Sequence, residues 1–174
     1  DGEEIESGLI IIDELVKTIS FNNIKSKPIP SWFRGFSAPI KFSSDLSIQN
    51  KIYLASSDTD PFNRWESGQS LWLEYVLNPD QVIEKDLFQM IKNLINNESD
   101  YSLLSEMISL PSEQIIHQNV GKINVEEVNN KREKSILSVG QGLKEIFLET
   151  FNKLNYKKTF DLSSQSVAER PLKN

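Results

Sequence analysis

The sequence predicts a mainly α fold, an α-solenoid-like or bundle-like helical domain preceded by a short β segment from an incomplete β-sandwich. Three observations carry that prediction. From about Leu46 onward, apolar residues recur every three or four positions, the spacing of one helix face. Asp60-Pro61, Asn78-Pro79, Asn96-Asn97 and Leu110-Pro111 cut this pattern into segments, as helix starts and stops do. The first forty-odd residues behave differently, with β-branched runs and a period of two.

In chain order, Leu9-Ile10-Ile11-Ile12 and Val16-Lys17-Thr18-Ile19-Ser20-Phe21 read as two adjacent antiparallel strands with Asp13-Glu14 near the turn. Lys27-Pro28-Ile29-Pro30-Ser31 is extended, because each proline fixes its own φ and drives the preceding residue out of the α region. Ala38–Phe42 is a third candidate strand. Two or three strands cannot bury both faces alone, so the segment reads as the edge of a larger sheet. Asp60 then caps a helix with Pro61 in its first turn. Along it Phe62, Trp65, Trp72 and Val76 form an apolar stripe, and Gly68 allows a neighbouring helix to approach. Ile83, Leu87, Met90, Ile91 and Leu94 make a second stripe, Tyr101, Leu104, Met107 and Ile108 a third. Pro111 or Ser112 opens a short fourth helix through Ile116. Asn124 and Glu127 have capping-box spacing ahead of Val128, Ile136, Val139, Leu143, Ile146, Phe147 and Leu154. That pattern predicts one helix of about thirty residues, in which Gly140 and Gly142 serve close packing or a kink. A last short helix is expected around Ser166–Arg170. No repeat of fixed period is present.

The composition narrows the function classes. Of 174 residues, 38% are hydrophobic and 25% charged, which fits a folded domain. A net charge of −6 argues against nucleic acid and against anionic membrane surfaces as partners. The longest apolar run, Leu9–Ile12, is far short of a bilayer span. With no cysteine, disulfides, thiolate ligands and a Cys nucleophile are excluded, and the protein suits the cytoplasm. Asp1-Gly2-Glu3-Glu4 reads as a start internal to a longer reading frame. His117 is the sole histidine, so a His-Glu-x-x-His zinc site cannot be built here, and His117 reads as a helix-surface or packing residue. No Gly-x-Ser-x-Gly elbow is present, and Gly140-Gln141-Gly142 lacks the spacing of a phosphate loop.

Two segments are distinctive. Lys27-Pro28-Ile29-Pro30-Ser31-Trp32-Phe33-Arg34-Gly35-Phe36-Ser37-Ala38-Pro39-Ile40 and Asp58-Thr59-Asp60-Pro61-Phe62-Asn63-Arg64-Trp65-Glu66-Ser67-Gly68-Gln69 resemble, in order and spacing, two motifs of the aminopeptidase N family of zinc metallopeptidases. Ser109-Leu110-Pro111-Ser112-Glu113 is similar to a third, and Arg170-Pro171-Leu172-Lys173-Asn174 to a late one. The resemblance implies that residues 1–44 end a β-sandwich domain and that 45–174 begin the large C-terminal helical domain. It implies a parent enzyme that removes N-terminal residues from peptides, with zinc bound upstream and none in this segment. The partners it implies are the catalytic domain of the same polypeptide and peptide substrates in the parent. The helical domain of that family restricts access to the active site. No catalytic residue is expected here. Arg170 is a substrate-chamber candidate, with a helix-end salt bridge as the other reading, and Pro171 departs from the family's pattern. Arg34, Phe36, Pro39, Asp60, Arg64 and Trp65 are expected to be structural, the arginines tying the β segment to the first helices. Trp32, Phe33, Phe36 and Trp65 are expected to fill that seam. The alternative is an autonomous helical protein-interaction module without enzymatic activity.

Overall fold

In the computed structural model the described residues are 10–38, 40, 42–79, 81–120, 124–155 and 163–169. Among them lie eight α-helices: α1 (Ile48–Ser57), α2 (Pro61–Leu77), α3 (Gln81–Asn97), α4 (Tyr101–Ile108), α5 (Glu113–Val120), α6 (Val125–Gly142), α7 (Lys144–Asn155) and α8 (Ser164–Glu169). A single 3-10 turn, Arg34–Phe36, precedes them.

Helices α1, α2, α4, α5 and α6 begin where a side chain satisfies free N–H groups of the first turn. Ser47 accepts from Asn50 N, Asp60 from Asn63 N, and Asp100 from both Ser102 N and Leu103 N. Ser112 accepts from Ile115 N at 3.3 Å, and Asn124 from Glu126 N at 3.0 Å. The reciprocal arm of the expected capping box is put to other use, since Glu127 pairs with Lys131 one turn on, at 3.2 Å.

Helix α2 is the centre of the array, in contact with α1, α3, α4 and α6. Its Leu71, Trp72 and Tyr75 join Leu87, Met90, Ile91 and Leu94 of α3 and Leu104 and Met107 of α4 in one buried core. Trp72 is fully buried and donates its indole N–H to the Met107 carbonyl at 2.8 Å. Met107 crosses α2 at Gly68, where an added Cβ would rest at 3.7 Å from its methyl, an ordinary contact. A second cluster, Val76, Ile116 and Val128, brings α5 and α6 against the far end of α2. There Lys131 donates to the Leu77 carbonyl and Arg132 to that of Pro111, both at 3.1 Å. Those cations sit where helix and loop carbonyls would otherwise lack partners.

A polar node at Glu84 also joins the core helices. Glu84 of α3 accepts from the Tyr75 hydroxyl at 2.7 Å and from Ser138 of α6 at 2.8 Å, linking three helices. Burial, reinforced by the neighbouring carboxylate and opposed by Ser138, pushes the Tyr75 hydroxyl up to about 12.

Two sequence expectations need correction. The thirty-residue helix is two helices, α6 and α7, divided at Leu143 (φ −115°, ψ 8°). The break sits beside Gly142, against which the Phe88 ring packs so closely that a Cβ would overlap it. Leu143 itself is buried in the core, on the same face as Val139 one turn before it. The second correction concerns the strands: residues 10–21 carry no ladder, and neither do Ala38, Ile40 and Phe42 of the third expected strand. Of the expected strands, Leu9, Pro39 and Lys41 lie outside the described residues. Residues 10–21 are exposed instead, Val16 at 80%. Lone short segments gain too little by pairing to hold a ladder, and no further strand flanks them among the described residues.

Candidate functional site

The proline-rich segment is fastened to the start of α2 by a polar clasp. Pro28 and Pro30 hold the chain extended, so Ser31 arrives facing the α1–α2 junction. Its hydroxyl donates to Asp58 Oδ2, while the Asn63 amide donates to the Ser31 hydroxyl oxygen at 2.7 Å. Arg34 reaches the other oxygen of Asp58, and also Thr59. Asp58 further accepts from Asp60 N at 2.8 Å, an Asx turn that sets up the helix cap. Asp60 then divides its carboxylate: Oδ1 caps α2 through Asn63 N at 2.9 Å, and Oδ2 takes Gly35 N at 2.6 Å.

The Asp58 side chain is 2% exposed. Burial alone would raise its pKa, but the Ser31 hydroxyl, the Asp60 N–H and the Arg34 guanidinium together outweigh burial and hold it below the ordinary value. The turn so gripped is unusual. Phe33, Gly35 and Phe36 all adopt left-handed φ, at 50°, 65° and 54°. Glycine does so freely, whereas each phenylalanine is held there against its preference.

Beside the clasp runs an aromatic seam. Phe36 meets Phe62 edge-on at 5.0 Å, and Phe62 meets Trp65 at 5.8 Å. On the other side Phe33 meets Phe42 at 5.2 Å and Trp32 at 6.5 Å. An open groove of about 600 Å³ runs past Trp32, Phe33 and Phe42 to Asp45, and two further clefts adjoin α2. The larger of the two clefts, about 400 Å³, lies between Trp32, Phe42 and Trp65 and is closed by Ile115 and Asn119 of α5. The smaller, about 290 Å³, lies between Phe36, Ile40 and Phe62. Glu66 lines both. Burial pushes its carboxyl above the usual range, and no hydrogen bond or ion pair holds it among the described residues. Lys51, in the larger cleft, is already paired with Glu74 at 2.8 Å.

The residues singled out in the sequence converge only in part. Arg34 and Asp60 are members of the clasp. Arg64 lies behind it, donating to the Ala55 carbonyl at 3.1 Å and pairing with Glu98, which ties α1, α2 and the end of α3 together. The expected dense filling of the seam needs correcting. Phe36 is 56% exposed and Trp32 41%, while Trp65 is half-buried, because this face of α2 borders open clefts and not another layer. Pro39 and Arg170 lie outside the described residues. Sequence reasoning missed Asp58, Ser31, Glu66 and Glu98. For Asp58 a signal exists in Asp58-Thr59-Asp60, where two short carboxylates precede a helix and only one can be the cap.

Among the described residues no three of His, Cys, Asp and Glu are grouped so that they could hold a metal ion. His117 lies half-buried in the last turn of α5. No described helix is long and apolar enough to cross a membrane.

Comparison with known proteins gives the following. Residues 48–174 match the family described as "Domain of unknown function (DUF3458_C) ARM repeats", and residues 1–45 the one described as "Domain of unknown function (DUF3458) Ig-like fold". Aminopeptidase N of Caulobacter vibrioides is 32% identical over 62% of the chain and 13% of its own length. Aminopeptidase N of Escherichia coli is 25% identical over 97% of the chain and 20% of its own length. Among solved structures, Legionella pneumophila aminopeptidase A in complex with aspartic acid superposes with a TM-score of 0.73 and 27% identity, over 88% of this chain and 19% of that one. The chain thus spans about a fifth or less of the length of these relatives.

Proposed function

The chain belongs to the DUF3458_C family of ARM-repeat domains, a C-terminal domain of aminopeptidase N family proteins, and from that premise we propose that it packs against the catalytic domain of a longer aminopeptidase and restricts access to its active site. The parent in this reading is a zinc-dependent, cytoplasmic hydrolase acting in peptide catabolism. Residues 1–44 complete its β-sandwich and 45–174 open its helical domain. Its zinc is held elsewhere in the polypeptide: one histidine and no cysteine do not fit a zinc-peptidase ligand set.

One observation carries the reading. Ile11, Leu15, Val16 and Phe21 are exposed apolar residues in a row, next to a proline segment pinned firmly by the clasp. An uncovered apolar stretch of that kind marks an interaction surface, and a longer polypeptide supplies its cover. The helical array would then be held at a defined angle to whatever the N-terminal segment joins.

Access restriction is tested in the longer enzyme with substrates of increasing size. Replacing Arg34 and Asp60 together with Ala should loosen the hinge between the two parts. The expected result is a larger gain in kcat/KM for long peptides than for an alanyl-nitroanilide. Equal effects on both would refute the gate, and full activity of the enzyme without residues 45–174 would favour an autonomous interaction module. Arg170 retains its place as a chamber candidate. Arg170→Ala should raise KM with kcat and zinc content unchanged, whereas a lower Tm at constant KM would make it a structural salt-bridge partner.

A further inference from the structure

Glu66 is out of place for a helix-surface carboxylate. It sits one turn into α2, on the wall shared by both clefts, with Trp65 beside it in sequence and Trp32 and Phe42 across the larger opening. The cation nearest in the lining, Lys51, is engaged by Glu74, and no partner among the described residues reaches the Glu66 carboxylate. A half-buried carboxylate without a counter-charge is unfavourable unless something else brings one. Its surroundings select what that can be. A hydrated metal ion needs several oxygen or nitrogen ligands, and no such group exists among the described residues. A flat, weakly hydrated cation needs aromatic faces and one carboxylate, which this cleft has. A volume of about 400 Å³ accommodates a side chain or a short peptide segment, not a folded partner.

We propose that the larger cleft is a guanidinium-binding subsite in which Glu66 supplies the charge and Trp32 and Trp65 the flanking faces. This does not depend on the access-restricting role. The guanidinium has two sources, an arginine of a bound peptide or an arginine from another part of the longer polypeptide, and the chemistry of recognition is the same for both.

The test uses N-acetylarginine amide, with N-acetylcitrulline amide as its neutral isostere. Indole N–H signals are followed by NMR. Trp32 and Trp65 should shift saturably with the arginine probe, while Trp72, buried and bonded to Met107, stays fixed as an internal control. The citrulline probe should do nothing. Glu66→Gln should weaken arginine binding about tenfold, the effect of losing one charge contact in a partly dry groove. Should that variant misfold by circular dichroism, Trp32→Leu, at an exposed position, is expected to weaken binding as well. Equal responses to both probes, or unchanged affinity in the variants, would overturn the assignment. In the longer polypeptide, persistence of probe binding identifies a peptide as the source. Loss of probe binding together with a lower Tm for Glu66→Gln identifies an internal arginine. If neither is seen there, the subsite is rejected.

Discussion

Asp58 and Glu66 are two acids of the same seam with opposite electrostatics. Asp58 remains charged where almost no solvent reaches it, because hydroxyl, amide and guanidinium donors converge on it. Its native pKa lies below 3.8, so between that value and its native pKa the unfolded chain binds the extra proton. The clasp's contribution is therefore complete above about pH 4 and lost as pH falls through the native pKa. Asp58→Asn should cost about 2 kcal/mol at neutral pH, typical of a hydrogen-bonded buried charge. Urea unfolding from pH 3 to 6 should show a shallower acid slope in the variant, and an identical slope would mean that Asp58 is not the titrating group. Glu66 works the other way. Its native pKa is raised from 4.5, so wild-type stability is highest below that value and declines as pH rises through the native pKa. Glu66→Gln should remove the decline, leaving the variant more stable than wild type at pH 7 in the same titration.

At the scale of the helix, the two glycines of the α6–α7 junction serve different ends. A Cβ on Gly140 meets nothing within 4 Å, whereas one on Gly142 enters the Phe88 ring. Gly140→Ala is expected to stabilise by up to about 1 kcal/mol through helix propensity. Gly142→Ala should destabilise by about 1–3 kcal/mol, as overpacking does. Thermal unfolding of both variants decides it, and a common sign would show that Phe88 does not set the break. The tryptophans of α2 part in the same manner. Trp72→Ala removes a fully buried indole and its bond to Met107, and should cost about 3–5 kcal/mol. Trp65, half-buried beside a cleft, should cost clearly less when truncated. Both lie on the same periodic stripe, and periodicity does not say which end of a helix is covered.

The whole molecule combines a packed array with an uncovered N-terminal flank. Helices α1 to α6 are joined through the buried face of α2, through Tyr75–Glu84–Ser138 and through Arg64–Glu98, so they should open together. Among the described residues, 10–27 make only local polar ties, such as Lys17 to Asp13. Trypsin should therefore cut first at Lys17 or Lys25, well before any site within α1 to α4 (Lys27, followed by Pro28, is not a tryptic site). Mass spectrometry of the early fragments checks this. Early cleavage at Lys85 or Lys92, within α3, would refute a single cooperative array. In the longer aminopeptidase of the proposed reading, both lysines should become protected.

By itself the sequence determined the helical class, the caps at Asp60, Ser112 and Asn124, and the resemblance to the aminopeptidase N family. These are local or motif-level properties: a cap depends on a side chain and the next three residues, and apolar spacing identifies a helix without knowledge of its neighbours. Only the tertiary structure decided that the long stripe breaks at Leu143, that Trp72 and not Trp65 belongs to the core, and that Asp58 is the hub joining Ser31 and Arg34 to α2. It also decided that residues 10–21 form no ladder in this chain and that Glu66 stands without a partner among the described residues. Each of these turns on contacts between residues far apart in the chain. A period of two states a preference for strand, but a ladder needs a neighbour; a glutamate on a helix states a charge, but only its surroundings say whether water or an aromatic wall faces it.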